Sequence, residues 1–222
     1  TKYYKGLGTS SNKDIKLSFG KKILLLNSDC SSSNNMNKVF HKDYTQQRKD
    51  WLSDYNINKN DTNKLIWDFN DKYQEKIYNV SDFINSELIK FSIDDCKRSI
   101  PHIMDGLKES QRKVLYACFK KKLYFSKKKT LKVAQLAGYV AESTNYHHGE
   151  QNLFDTIIKL AQDFPGSNNI PLLFPDGQFG SRSYLGKDAA NARYIFTKLN
   201  KLTRYIFRED DDPILSYNKD GS

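Results

Sequence analysis

The residues with the clearest chemical potential are a neighbouring arginine and tyrosine, Arg193-Tyr194, in the stretch ARYIFT. A phenol loses its proton near pH ~10 in water, so it attacks an electrophile at neutral pH only where positive charge is close. The guanidinium next to it is permanently charged, and its fork can hold two oxygens of a phosphate while charge builds during a displacement. On residue types alone a plainer reading is favoured: a partly buried tyrosine whose hydroxyl is satisfied at a helix start. The adjacent pair His147-His148 cannot easily chelate one ion, and no cysteine or HExxH spacing accompanies it, so zinc chemistry is a poor fit. Cys30, Cys96 and Cys118 lie far apart, with neither a metal spacing nor an even disulfide framework. A reducing, intracellular setting fits them best.

The chain has 222 residues, 38% apolar and 13% aromatic, enough for one domain or two small ones. Lys and Arg number 36 against 26 Asp and Glu, a net charge of +10 with a pI near 9.3. That excess points to a polyanionic partner or an anionic surface, or equally to a solvated basic face. No apolar run is long enough to span a membrane, and the start lacks the order of a signal peptide. Without an initiator Met, the chain is expected to be a piece of a longer protein.

Several elements must position these groups. KKILLLN, Lys21 to Asn27, reads as a short buried strand whose length does not exclude a helix. SDCSSSNNMNK reads as a loop, and NINKNDTNK, Asn56 to Lys64, as a linker. Ser81 is the expected N-cap of a helix with Phe83, Ile84, Leu88 and Phe91 on one face. Pro101 breaks the chain. From Glu109 a helix recurs through Val114, Leu115, Cys118 and Phe119. Val133, Leu136, Ala137 and Val140 form one stripe, and Leu153, Ile157, Leu160, Ala161 and Phe164 a second, joined by the polar turn ESTNYHHGE. Two such helices make a helix-turn-helix. IPLLF and the turn Pro175-Asp176-Gly177 suggest the β-ribbon of a wing. A last helix is expected after Ala189, with Ile195, Leu199, Leu202 and Ile206 inside and Tyr194 aligned outside with Lys198, Lys201 and Tyr205.

The motifs IPHIMDGLKESQRKVLYACF, KVAQLAGYVAESTNYHHGE, LAQDFPGSNNIPLLFPDGQFGSR and GKDAANARYIFT stand in this order. The chain thereby resembles the type IIA DNA topoisomerases of eukaryotic type, densely from Ser81 to about Phe207. KYYKGLGTS resembles the stretch after the metal-binding TOPRIM core of the same enzymes, and FHKDYTQQRKDWL the stretch beyond it. Residues 21 to 80 match least. The run Lys120 to Lys132 is longer and more basic than the family pattern. The fold the resemblance implies is α+β: residues 1–55 the C-terminal part of a TOPRIM region, 56–80 a linker, 81–207 a winged-helix domain and 208–222 the start of a following tower region.

The resemblance implies that Tyr194 is the nucleophile that cuts DNA, with Arg193 on the scissile phosphate. It implies that His148 and Arg112 act at the phosphate as well. Lys113, Lys122, Lys132, Gln135, Tyr146, His147, Arg182 and Lys187 are its further DNA-contact candidates, although for any single lysine a solvated surface is as good a reading. Asp94-Asp95 and Asp210-Asp211-Asp212 do not match the family's metal motif, and are read as helix-start charge and as a loop. Mg2+ and ATP are expected on parts of the full-length protein outside this chain. Double-stranded DNA and a second copy of the chain are the expected partners, with no membrane, and the nucleus is the expected compartment in a cellular eukaryote. The rivals are a winged-helix module that binds DNA without cutting it, and the meiotic DNA-breaking relative of these enzymes. ARYIFT argues against the first, and YHHGEQ, GSNNI and KYYKGLGTS against the second.

Overall fold

The computed structural model describes residues 11–55 and 73–217. The opening KYYKGLGTS and the stretch Asn56 to Lys64 lie outside the described residues. The chain divides into two compact units, residues 1–96 and 97–222, and both mix helix with strand.

In the first unit, α1 (Asn12–Ser18) leads into β1 (Lys22–Asn27), so the run KKILLLN is a strand, although not a buried one, since Leu25 and Leu26 are exposed. Helices α2 (Ser32–Phe40) and α3 (Thr45–Ser53) follow. Strand β2 (Gln74–Asn79) lies inside the stretch read as linker and pairs in parallel with β1, from Lys22↔Gln74 to Asn27↔Asn79. The chain then turns into α4 (Val80–Phe83), one π-helical turn (Ile84–Leu88) and α5 (Ile89–Ser99), where the boundary between the units falls. The five-residue step of the π turn puts Ile84 and Ile89 together in a small core with Trp51 and leaves Phe91 exposed. A face drawn at 3.6 residues per turn therefore misplaced Phe91. Asp94 and Asp95 lie in the middle of α5 rather than at a helix start.

Ser81 is not a cap: Asn79 holds the N-cap position, and Ser81 sits inside the first turn. Its hydroxyl donates to Asp29 at 2.7 Å, as does that of Ser31, and the backbone N–H groups of both serines bond the same carboxylate. These donors hold the Asp29 carboxyl well below the usual carboxylate range, because each favours its charged form. The loop after β1 is thereby tied to the helix after β2.

The second unit is built on three helices: α6 (Glu109–Lys120), α7 (Val133–Ser143) and α8 (Glu150–Ala161). Their inner faces follow the apolar spacing, except that α8 ends at Ala161 and leaves Phe164 outside the helix, and Phe119 is only partly buried. Val114, Leu115, Cys118, Val133, Leu136, Ala137, Val140, Leu153, Ile157, Leu160 and Ala161 form one core. Burial pushes the Cys118 thiol up to about 12, so this cysteine is an unreactive core residue. Against the helices lies a three-stranded antiparallel sheet in the order β3 (Leu131–Lys132), β5 (Phe196–Leu199), β4 (Leu173–Asp176). Pro175 and Asp176 belong to β4, and the turn begins at Gly177.

The helix expected after Ala189 is absent. A tight turn ends at Tyr194, β5 follows, and only Thr203–Ile206 (α9) is helical. Ile195, Thr197 and Leu199 are buried in strand alternation, whereas Leu202 and Ile206 are half exposed. A separation of four residues keeps a side chain on one face at either period, so Ile195 and Leu199 could not tell strand from helix.

Gly177 has φ +124, and a Cβ there would stand 2.9 Å from the Ile195 side chain. Gly177→Ala is expected to destabilise the second unit by about 1–3 kcal/mol, from backbone strain and displacement of Ile195. Urea unfolding of the chain measures it, and an unchanged midpoint would show that the turn does not constrain Ile195.

Candidate nucleic-acid interface

The turn before β5 is anchored from both sides. Ala192 and Ile195 are buried, while Arg193 and Tyr194 between them are exposed, Tyr194 at 77%. Asn191 shapes the turn: its side-chain oxygen accepts from the Arg193 N–H at 3.0 Å and its carbonyl from the Tyr194 N–H at 2.9 Å. The backbone of the same turn closes the start of α7. The Ile195 carbonyl accepts from the Val133 N–H at 3.0 Å and the Ala192 carbonyl from the Ala134 N–H at 3.1 Å. A helix start has free N–H groups that must find partners, and Lys132 at the N-cap gives no side-chain cap. Tyr194 and Arg193 are thus presented outward by a turn fastened to the helix core. Tyr194 is exposed as expected, but through a turn and strand rather than a helix face.

Lys132 borders this turn. It pairs with Phe196 in the sheet, and its ammonium lies 5.9 Å from the centre of that ring. Gln135 is exposed on the first turn of α7.

The remaining candidates fall into two other places. His147 and His148 are exposed in the turn between α7 and α8, and the Tyr146 and His148 rings meet edge to face at 5.3 Å. Burial, and then the charge of Glu109 at the start of α6, raise the Tyr146 phenol. Arg112 lies there, with its Nε and Nη2 bonded to the Asp105 carboxylate at 2.8 and 2.9 Å and Nη2 also reaching the Leu107 carbonyl at 3.3 Å. Lys113 pairs with Glu109 at 3.2 Å. The sequence offered no sign of this pairing beyond the turn-forming Asp105-Gly106, yet it commits Nε and Nη2 of Arg112 to the chain's own turn. The Tyr194 turn stands at the start of α7 and the His148 turn beyond its end. Eleven residues at about 1.5 Å each separate them by ~16 Å along the helix.

Arg182 and Lys187 are exposed on the loop between β4 and β5. Buried Gln162 holds this loop, donating to the Phe179 and Gly186 carbonyls at 2.9 and 3.2 Å. Asp188 accepts from the Ser181 N–H at 2.7 Å and its hydroxyl at 2.8 Å, which lowers the Asp188 carboxyl. Lys122 is exposed just beyond α6 in the left-handed region, with φ 53.

No group of three or more His, Cys, Asp or Glu that could hold a metal ion is found among the described residues. The run Asp210-Asp211-Asp212 forms a 3-10 turn, and Asp212 and Asp210 pair with Arg204 and Arg208 at 2.7 and 2.8 Å. Also among the described residues, no helix is long and apolar enough to cross a membrane.

Asp105 is held below the usual carboxylate range, first by the Arg112 guanidinium. The pair's contribution to stability is therefore present above the unfolded value near pH ~4 and is lost as pH falls through the folded value. Asp105→Asn is expected to lower the melting temperature at neutral pH, with the deficit shrinking below pH ~4. A deficit of equal size at every pH would contradict an ion-pair origin.

Residues 98–222 match the DNA gyrase/topoisomerase IV family, and residues 1–96 the C-terminal associated domain of TOPRIM. DNA topoisomerase 2 of Invertebrate iridescent virus 6 is 51% identical over 220 residues, covering 99% of this chain and 19% of that protein. DNA topoisomerase 2 of Saccharomyces cerevisiae is 50% identical over 220 residues, covering 97% of this chain and 14% of the relative. A crystal structure of the DNA-binding, cleavage and re-ligation domain of Plasmodium falciparum topoisomerase II aligns with a TM-score of 0.69 at 47% identity, over 98% of this chain and 28% of that one. The chain thus spans less than a fifth of the length of these two curated relatives.

Proposed function

The chain belongs to the type II DNA topoisomerases, and from that membership we propose that it forms part of the DNA gate, with Tyr194 as the nucleophile that cuts and reseals the backbone. The observation that carries this reading is the presentation of Arg193-Tyr194, side by side and exposed, between the buried anchors Ala192 and Ile195. A tyrosine kept for packing would turn its ring inward.

In the proposed reaction the Tyr194 phenol loses its proton to solvent and Oη attacks the scissile phosphorus. The bond from phosphorus to the 3′ oxygen breaks, that oxygen leaves and takes up a proton, and Tyr194 carries the 5′ phosphate. Arg193 holds phosphate oxygens as negative charge builds. The phenolate of an aryl phosphodiester leaves readily, so the 3′ hydroxyl can attack back and reseal the strand without an outside energy source. His148 and Arg112 act at the phosphate as well in this reading, with Lys113, Tyr146 and His147 as further DNA contacts. Lys122, Lys132, Gln135, Arg182 and Lys187 are backbone contacts in this reading.

The described residues do not fit a resident metal ion, since the acidic run Asp210–Asp212 is engaged by arginines. From the family membership, Mg2+ and ATP are assigned to parts of the full-length protein outside this chain, and the roles of Tyr194 and Arg193 are set by their own chemistry. Two copies, each cutting one strand, would make a double-strand gate. Residues 208–222 are assigned to the start of the region that follows.

Tyr194→Phe removes one oxygen and leaves the ring in place. In the full-length enzyme it is expected to abolish both DNA relaxation and the covalent protein–DNA adduct trapped by denaturant, with DNA affinity retained. Tyr184→Phe and Tyr205→Phe should leave the adduct intact. An adduct that persists in Tyr194→Phe sinks the assignment, and a wild-type enzyme that binds DNA but forms no adduct supports the binding-module rival instead.

A further inference from the structure

The segment between α6 and β3 is the most basic stretch of the chain: residues 121–132 hold six lysines and no acidic residue. It is fastened to β5, the strand that follows Tyr194. Leu123 is buried, and its carbonyl accepts from the Leu199 N–H at 2.9 Å. At the other end Leu131 and Lys132 pair with Thr197 and Phe196. Between these ties the Lys198 ammonium donates to the carbonyls of Phe125 and Lys127 at 3.0 and 3.1 Å, with the Phe125 ring centre 4.7 Å away. The outer tip, Lys127, Lys128 and Lys129, is exposed.

Two features set this loop apart from an ordinary solvated charge run. It is tied down at three places instead of being left free. Its central tie is also itself a cation, which adds a positive charge to a group that already repels itself, where a glutamine could have bonded the same carbonyls without that cost. Such an arrangement is favourable overall when a polyanion covers it. Along β5 the outward positions are Phe196 and Lys198, continuing from Tyr194, while Ile195, Thr197 and Leu199 point inward. Four residues at about 3.3 Å each put Lys198 ~13 Å from Tyr194, close to four nucleotides of one strand at about 3.4 Å per phosphate.

We infer that Lys127, Lys128 and Lys129 form a DNA-backbone clamp about four nucleotides from the cut, and that Lys198 is its positioning residue. The inference rests on the reading of this chain as a DNA-gate unit. Lys198 spends two of its three N–H donors on the two carbonyls, so its role is to hold the loop on the nucleophile's own strand. The clamp would keep the severed strand aligned while Tyr194 holds its 5′ end.

The test is the salt dependence of binding to a short fluorescein-labelled duplex, measured by anisotropy across a KCl series with the 222-residue chain. The proteins are wild type, the triple variant Lys127→Ala/Lys128→Ala/Lys129→Ala, and Lys198→Met, which keeps the aliphatic stem. Each lost phosphate contact lowers the slope of log affinity against log salt by about 0.9. The triple variant is expected to lower it by about two to three, and Lys198→Met by about two although it removes a single charge, both with wild-type melting curves. A triple variant whose slope falls by less than one overturns the clamp, while the assignment of Tyr194 stands. Lys198→Met with an unchanged slope overturns its positioning role. A wild-type chain whose binding does not depend on salt overturns both the clamp and the DNA-gate reading. If Lys198→Met melts early, Lys198→Arg decides: it restores the cation and is expected to restore the slope, and an Arg variant with the slope still low overturns the positioning role.

Discussion

Two backbone hydrogen bonds organise the second unit, those by which the carbonyls of Ala192 and Ile195 receive the first free N–H groups of α7. A helix start packed into a core cannot leave such donors without partners. Many helices solve this with a serine or aspartate cap, but α7 begins at Lys132 and Val133, and its first turn has no acidic residue. The turn before β5 therefore does the capping. In doing so it fixes its own conformation: Ala192 and Ile195 go inward, and Arg193 and Tyr194 have only the outward direction left. One satisfied constraint at a helix end thus settles where the reactive pair points. It also means that the first two N–H groups of this helix are taken by carbonyls of the chain itself.

The charge of +10 is unevenly available to a polyanion. Arg112, Arg204 and Arg208 are paired with Asp105, Asp212 and Asp210, Lys113 with Glu109, and Lys198 is bonded to loop carbonyls. Each pair orients its cation, and that of Arg204, whose side chain is largely buried, is bidentate on Asp212. Arg193 and the lysines at the tip beyond α6 stand outside these pairs. The bare count of basic residues pointed toward nucleic acid, and the distribution of their partners says where on the surface contact is cheapest to make.

The three helices of the second unit were legible in the sequence because their apolar residues recur at 3.6-residue spacing with polar breaks between them. The exposure of Tyr194 was legible too, although its element was not. The pair Ile195 and Leu199 satisfies both helix and strand periods. What separates them is Thr197, a polar residue buried with its hydroxyl on the Phe174 carbonyl at 2.8 Å, and such long-range partners leave no local trace. Asp105 with Arg112, Gln162 under its loop and Asp29 between two serines were hidden for the same reason. Each is a polar contact whose partner is set by the fold. The Phe91 error had a different source, a five-residue π step that no 3.6-residue wheel represents.

The most direct test of the central claim is to read the covalent bond itself. The full-length enzyme would be trapped on DNA with denaturant, the DNA trimmed by nuclease, and the protein digested with trypsin and analysed by tandem mass spectrometry. Cleavage after Arg193 and Lys198 isolates the peptide YIFTK, whose single tyrosine is Tyr194. Nucleotide mass localised to that phenolic oxygen is the result expected here. Nucleotide found on Tyr184, Tyr205 or any other residue, with YIFTK recovered bare, would contradict it.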